Sequence, residues 1–86
     1  MHLEVEQLRA FATLAEELNF TRAARRLGVA QPALSARISR MERRLGRKLV
    51  ERSTRSVRLT QAGADLLARA QPMLAQVDAG PAAPVG

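Results

Sequence analysis

The chain has 86 residues, which is enough for one small domain with a thin hydrophobic core. Hydrophobic residues make up 47% of it, which argues against a disordered chain, and the absence of cysteine excludes disulfides and thiolate metal sites. Between Phe20 and Thr60, twelve Lys and Arg residues oppose two acidic ones, although the whole chain carries only +6. This segregation favours a polyanion as partner, with a solvated arginine-rich helix surface as the alternative.

The first two predicted helices are short and amphipathic. Apolar residues recur at helical spacing over residues 5–18, and Asn19 is a plausible stop. We expect Thr21 to cap a second helix, "RAARRL", which Gly28 closes.

A third helix is predicted to begin near Gln31, because Pro32 is tolerated in a first helical turn. Gly46 is expected to end it. Its predicted buried stripe consists of Leu34, Ile38, Met41 and Leu45. Two helices joined by a tight, glycine-containing turn predict a helix-turn-helix over about residues 20–39.

Beyond the third helix the hydrophobic period changes. Residues 49–52 and Val57–Leu59 are predicted to form two short strands joined by the turn "STRS". Thr60 should cap a last helix, which we expect Pro72 to kink without ending, because the apolar spacing continues beyond it. Residues 80–86 have no periodicity and are interpreted as a flexible linker end.

The side of the third helix opposite its buried stripe carries small residues. A major groove admits a helix only when its leading face is slim. Gln31 and Ser35 can hydrogen-bond base edges, and Pro32 and Ala36 can contact thymine methyl groups. The alternative is that Gln31 and Ser35 only cap and solvate the start of the helix.

The blocks "FTRAARRLGVAQPALS", "RMERRLG", "LVER" and "LTQAG" occur in this order within a longer similar run. Over roughly residues 3–63 the chain resembles the N-terminal DNA-binding domain of the LysR-type transcriptional regulators. The resemblance implies a mainly α fold, a winged helix-turn-helix with a three-helix core and a short β-hairpin wing, over residues 3–60. It also implies a linker helix over residues 60–79 that forms a homodimer.

The resemblance further implies sequence-specific binding of double-stranded DNA. The recognition helix would enter the major groove through Gln31, Pro32, Ser35 and Ala36, and the wing residue Arg55 would enter the minor groove. The expected contacts to the DNA backbone involve Thr21, Arg22, Arg37, Ser39, Arg40, Arg43, Arg52, Ser53 and Thr54. From the apolar stripe of the last helix, the predicted dimerisation residues are Leu66, Ala70, Met73, Leu74 and Val77.

Three positions depart from the pattern of the family. Ala36 stands where many members carry a long polar side chain, and Ala30 stands where Ser or Thr is frequent and would cap the helix. Val50 replaces a common Phe in the wing. None of these departures conflicts with the predicted fold.

Length is the larger departure. Members continue into an effector-binding domain, and nothing in these residues corresponds to it. We therefore expect a fragment, or else a truncated product, that holds no effector site, while the full-length parent forms a higher oligomer on an imperfect inverted repeat in a promoter. No apolar run reaches the roughly 20 residues of a membrane span, so we expect a cytoplasmic protein without membrane contact. The resemblance further implies a bacterial protein that is associated with the nucleoid through its binding to DNA.

Other functions are less consistent with the sequence. An enzyme would need a positioned His, Cys or paired carboxylates, whereas His2 is the only histidine, so we expect no catalytic residue, no metal site and no cofactor. RNA or single-stranded DNA binding usually requires aromatic platforms, which two phenylalanines do not supply. A winged-helix module for protein–protein interaction remains the alternative function.

Overall fold

A computed structural model describes residues 4–79 as four helices and one antiparallel pair of strands. In chain order these are α1 (Val5–Glu17), α2 (Phe20–Leu27), α3 (Gln31–Leu45), β1 (Val50–Arg52), β2 (Val57–Leu59) and α4 (Gln61–Asp78). The predicted fold class, a mainly α winged helix-turn-helix with a long final helix, is confirmed. The predicted linker end, residues 80–86, lies outside the described residues.

The junction between α1 and α2 is tighter than the sequence suggested. α1 ends at Glu17, and Leu18 takes a left-handed conformation with φ 47° while its N–H donates to the carbonyl of Leu14. Asn19 then caps α2, because its Oδ1 accepts a hydrogen bond from the Arg22 N–H at 2.8 Å.

The prediction that Thr21 caps α2 is therefore wrong. The helix already begins at Phe20, whose ring is buried. Since burial of this ring places Phe20 inside the first turn, the cap falls on the residue before it, and Thr21 lies exposed on the helix.

The turn and α3 follow the prediction closely. Gly28 closes α2 in a left-handed conformation with φ 70°, and α3 begins three residues later with Pro32 in its first turn. Gly46, with φ 68°, ends α3. The turn of residues 28–30 brings α2 and α3 together as a helix-turn-helix.

The core lies between α1, α2, α3 and the start of the wing. The largest fully buried side chains are Phe11, Leu14, Leu34, Ile38, Met41 and Leu49. Three of the four residues predicted for the buried stripe of α3 are among them, and Leu45 packs against the cluster while partly exposed. Burial of each large side chain stabilises the fold by about 1.5–3 kcal/mol.

The wing is a two-stranded ribbon with Val50 opposite Leu59 and Arg52 opposite Val57. The first strand begins at Val50 rather than at residue 49, and Leu49, just before it, is also buried in the core. Thr60 caps α4, as predicted: its Oγ1 accepts from the Gly63 N–H at 3.0 Å.

α4 continues without interruption through Pro72 to Asp78, as the phase of its apolar residues indicated. Its second half packs on α1, where Ala70 and Leu74 form a small cluster with Leu8. This packing holds the helix together although Pro72 has no N–H to donate within it. The predicted kink stays a prediction.

Candidate nucleic-acid interface

The exposed side of α3 carries the predicted base-reading residues. Gln31, Pro32 and Ala36 are exposed, and Ser35 is half-buried beside them. These four side chains are short or slender, so a groove could approach the helix backbone closely. Ala30, the N-cap residue, supplies no side-chain hydrogen bond, which leaves the positive end of the helix dipole available to an anion.

The tip of the wing is a hydrogen-bonded turn. The Ser53 N–H donates to the carbonyl of Ser56 at 2.9 Å, and Ser53 Oγ accepts from the N–H groups of Arg55 and Ser56 at 3.1 Å each. Thr54 and Arg55 therefore project from a fixed tip, and both are exposed. A cation held in this way is suited to enter a narrow minor groove.

Arg52, the last residue of β1, connects the wing to both helices of the helix-turn-helix. Its Nη1 donates to Ser35 Oγ at 2.9 Å, and its guanidinium lies 4.2 Å from the centroid of the Phe20 ring. Such a cation–π contact contributes about 0.5–1 kcal/mol at an exposed site. The sequence indicated Arg52 as a phosphate contact, but gave no sign of this bridge.

The start of α2 presents Thr21 and Arg22 to solvent, next to the N-terminal end of the helix. Arg22 Nε lies 3.4 Å from Glu17 Oε1, so part of its charge is already balanced within the domain. Both side chains could still contact a phosphate from the position that the sequence predicted.

Four arginines on α3 and at the wing tip differ from Arg26 of α2 in their partners. Within residues 4–79, carboxylate partners within 4 Å are absent for Arg37, Arg40, Arg43 and Arg55. By contrast, Arg26 donates to Glu16 at 2.8 Å and to Glu17 at 3.1 Å, and these hydrogen bonds raise its pKa. The interface thus keeps uncompensated positive charge, and Ser39 lies half-buried among these arginines.

Sequence reasoning missed Glu42, which fixes the wing to the end of α3. Its carboxylate is buried, and Oε2 accepts from the backbone N–H groups of Leu49 at 2.8 Å and Val50 at 3.3 Å. Lys48 Nζ lies 3.8 Å from Oε1. The available signal was the spacing, since Glu42 follows Ile38 by four residues and shares its buried side.

Next to Glu42, the end of α3 carries an open groove of about 410 Å³. Its lining residues are Ser39, Glu42, Arg43, Gly46, Arg47 and Lys48. Arg47 and Lys48 extend the basic face beyond the residues that the sequence analysis singled out, and both are exposed.

Residues 4–79 contain neither a membrane-spanning helix nor a metal-binding cluster. None of the helices there is both long and apolar enough to cross a membrane. In the same residues, no group of three His, Cys, Asp or Glu side chains is placed to hold a metal ion.

The sequence model for the bacterial regulatory helix-turn-helix proteins of the lysR family matches residues 5–64. The chain belongs to this family. Among similar proteins, a probable hydrogen peroxide-inducible genes activator from Streptomyces viridosporus is 53% identical over 73 residues, which are 85% of this chain and 23% of that protein. The transcriptional regulator PgrR from Escherichia coli K12 is 52% identical over 75 residues, covering 87% of this chain and 25% of PgrR.

This LysR-family chain therefore spans about a quarter of the length of the curated relatives it matches. These relatives are transcriptional regulators rather than enzymes, which confirms the prediction that the chain is not an enzyme.

Two solved structures similar to the LysR-family chain contain DNA. The BenM DNA-binding domain in complex with catB site 1 DNA is 40% identical with a TM-score of 0.85, and the match covers 90% of this chain and 86% of that one. Full-length CbnR with its target DNA is 38% identical with a TM-score of 0.83, covering 90% of this chain and 27% of CbnR.

The residues predicted for dimerisation of the LysR-family chain divide into two groups on α4. Ala70 and Leu74 are buried within the single chain against α1, and Leu66 packs there in part. Met73 and Val77 are each 48% exposed. Ala70 and Leu74 are thus already covered within the single chain, and the dimer contact of α4 stays a prediction.

Proposed function

We propose that the chain binds double-stranded DNA sequence-specifically, as the DNA-binding part of a dimeric LysR-type transcriptional regulator. The observation that carries this proposal is the narrow exposed face of α3, bordered by arginines without carboxylate partners in residues 4–79. BenM and CbnR, which share the fold and were solved with DNA, support it.

In this proposal α3 enters the major groove. Gln31 and Ser35 hydrogen-bond base edges, and Pro32 and Ala36 contact thymine methyl groups. Arg55 at the wing tip enters the adjacent minor groove, where a narrow A·T-rich segment has the most negative potential.

The remaining polar side chains around this face hold the DNA backbone and fix the position of α3. They are Thr21, Arg22, Arg37, Ser39, Arg40, Arg43, Arg52, Ser53 and Thr54. Each arginine that neutralises a phosphate releases a counterion, so binding should weaken steeply with salt.

Two copies would pair through α4 about a two-fold axis, so that two recognition helices lie about one DNA turn apart or a multiple of it. The matching operator is an imperfect inverted repeat in a promoter. The full-length regulator would assemble further and act on the chromosome in the bacterial cytoplasm.

The test compares two alanine variants on a duplex that the chain has selected from random DNA and on a scrambled duplex. Gln31→Ala should lower the affinity for the selected duplex by ~1–3 kcal/mol and change the affinity for the scrambled duplex little. The salt slope should stay nearly unchanged, because glutamine carries no charge. Arg55→Ala should weaken both and reduce the salt slope by about one unit per half-site. Arg69→Ala and Gln71→Ala remove the same groups from exposed positions on α4 and serve as matched controls.

Equal weakening of both duplexes by Gln31→Ala would assign Gln31 to the helix start or to a phosphate. Failure of the unaltered chain to bind any duplex in a salt-dependent manner would refute DNA binding, and would favour a protein–protein interaction module.

Dimerisation is tested on the exposed side of α4. Met73→Glu and Val77→Glu should yield a folded monomer with lost affinity for the inverted repeat, since neither side chain supports the core. Gln76→Glu adds the same charge at an exposed position of the same helix and should leave the dimer intact. Sedimentation that finds an unchanged dimer in both Met73→Glu and Val77→Glu would exclude this surface.

A further inference from the structure

The guanidinium of Arg52 is held in place by contacts inside the domain. It donates to Ser35 Oγ at 2.9 Å and stacks 4.2 Å above the ring of Phe20, which is itself 7% exposed and anchored in the core. Within residues 4–79, no carboxylate lies within 4 Å of Arg52 to draw it away. We propose that Arg52 is a positioning residue that makes the Ser35 hydroxyl a hydrogen-bond donor. Arg52 thereby determines which base Ser35 prefers to face in the groove.

The chemistry of a serine hydroxyl makes such control necessary. The hydroxyl carries one proton and two lone pairs and rotates freely, so an unrestrained serine can pair with either a donor or an acceptor on a base edge. A guanidinium has only donors. When it donates to Ser35 Oγ, it occupies a lone pair, and its positive charge turns the hydroxyl proton away from itself.

The proton of Ser35 is then offered to the groove. In the major groove, the N7 atoms of both purines, O6 of guanine and O4 of thymine accept hydrogen bonds, whereas N4 of cytosine donates one. A cytosine amino group facing Ser35 would approach an oxygen that already accepts from Arg52 and lies beside its positive charge. The base facing Ser35 should therefore be one that presents an acceptor, and cytosine should be disfavoured.

This assignment rests on the proposed function, because it requires α3 to lie in a major groove. It goes beyond the backbone contact proposed for Arg52 above, because that contact alone would add affinity equally to every sequence. The two roles predict different outcomes when Ser35 is removed first.

The experiment is a double-mutant cycle on DNA discrimination. Selection from random duplexes with the unaltered chain and with Ser35→Ala identifies the base pair whose preference depends on Ser35. Two duplexes that differ only there, one with a purine and one with cytosine facing Ser35, are then titrated with both proteins, with Arg52→Met and with the double variant. Arg52→Met keeps a long apolar side chain over Phe20 but has no donor.

We expect Arg52→Met to lower the purine-to-cytosine affinity ratio about fivefold or more, the lower end of what one base-edge contact contributes. In the Ser35→Ala background the same substitution should leave the ratio unchanged. Arg58→Met, on the neighbouring strand and exposed, is the matched control and should leave the ratio intact in both backgrounds. Because the ratio compares two duplexes with one protein preparation, partial unfolding of a variant does not alter it.

Arg52→Met that weakens both duplexes equally would overturn the inference and leave Arg52 a phosphate contact. A lowered ratio of the same size in the Ser35→Ala background would overturn it as well, because Arg52 would then act on the base directly. A chain that binds DNA but shows no base preference dependent on Ser35 refutes the inference alone, whereas a chain without DNA binding refutes the proposed function.

Discussion

Replacing Glu42 by alanine should destabilise the domain far more than the loss of a surface charge. The substitution leaves two buried backbone donors, the N–H groups of Leu49 and Val50, without their acceptor. Each unsatisfied buried group costs about 1–3 kcal/mol. Since water can enter part of the vacated space, we expect a loss of about 2–4 kcal/mol in the free energy of unfolding, out of roughly 4–13 kcal/mol for a domain of this size.

Glu42→Gln separates the hydrogen bonds from the charge. The amide oxygen can still accept from the Leu49 N–H, so the expected loss is only about 1 kcal/mol. Glu51→Gln is the matched control, because Glu51 is exposed and lies 3.7 Å from Arg58 in a surface pair. Its effect should stay within about 0.5 kcal/mol.

The measurement is urea denaturation followed by circular dichroism. The slope m should be the same in every variant, which shows that only the stability has changed. Amide hydrogen exchange at Leu49 and Val50 reports the same loss locally. In Glu42→Ala, exchange should accelerate more at these two amides than at the other amides of the wing. If Glu42→Ala destabilises no more than Glu51→Gln, the carboxylate does not fix the wing and the reasoning fails.

Gly63→Ala should destabilise the domain by ~1–3 kcal/mol in urea despite the better helix propensity of alanine, because its Cβ would collide with the carbonyl oxygen of Leu49; an unchanged midpoint would contradict this close approach. Pro72→Ala should raise the free energy of unfolding by about 1–3 kcal/mol, since Pro72 is exposed inside α4, and a lowered midpoint would refute this. A hydrogen bond from Arg9 lowers the pKa of Asp78, so the tie between α1 and the end of α4 is present above the ordinary carboxyl pKa and is lost as the pH falls through the lowered one. Without this tie, the amides at the end of α4 should exchange faster at acidic pH. Asp78→Asn should abolish this pH dependence of amide exchange, and an unchanged pH dependence in the variant would refute the assignment.

The helices, the turn and the wing could be predicted because each depends on local signals. Gly28 and Gly46 mark helix ends that need a left-handed residue, and Pro32 marks a helix start. The cap of α2 could not be predicted in the same way, because Asn19 and Thr21 are both good cap residues. Burial of the intervening phenylalanine decides between them, and that is a property of the packed core.

The candidate interface was predicted as a set of residues but not as an arrangement. Ser35 and Arg52 were both singled out, yet their hydrogen bond joins residues that are 17 positions apart and forms only because the wing folds back on α3. The same applies to Glu42, whose partners belong to the segment that begins the wing. Periodicity assigns a residue to a face of its helix, whereas these contacts depend on where a second element packs.

α4 illustrates why an apolar stripe does not by itself identify a dimer surface. Successive helical residues are about 100° apart, so a stripe that includes both Met73 and Leu74 is wide enough for two different partners. Leu74 and Ala70 take the edge that faces α1, and Met73 and Val77 keep the edge that faces solvent. A charge at Leu74 would break the packing on α1 and unfold the end of the helix in a monomer as well as in a dimer. Only the Met73 and Val77 edge can therefore report on association without also reporting on the stability of the domain.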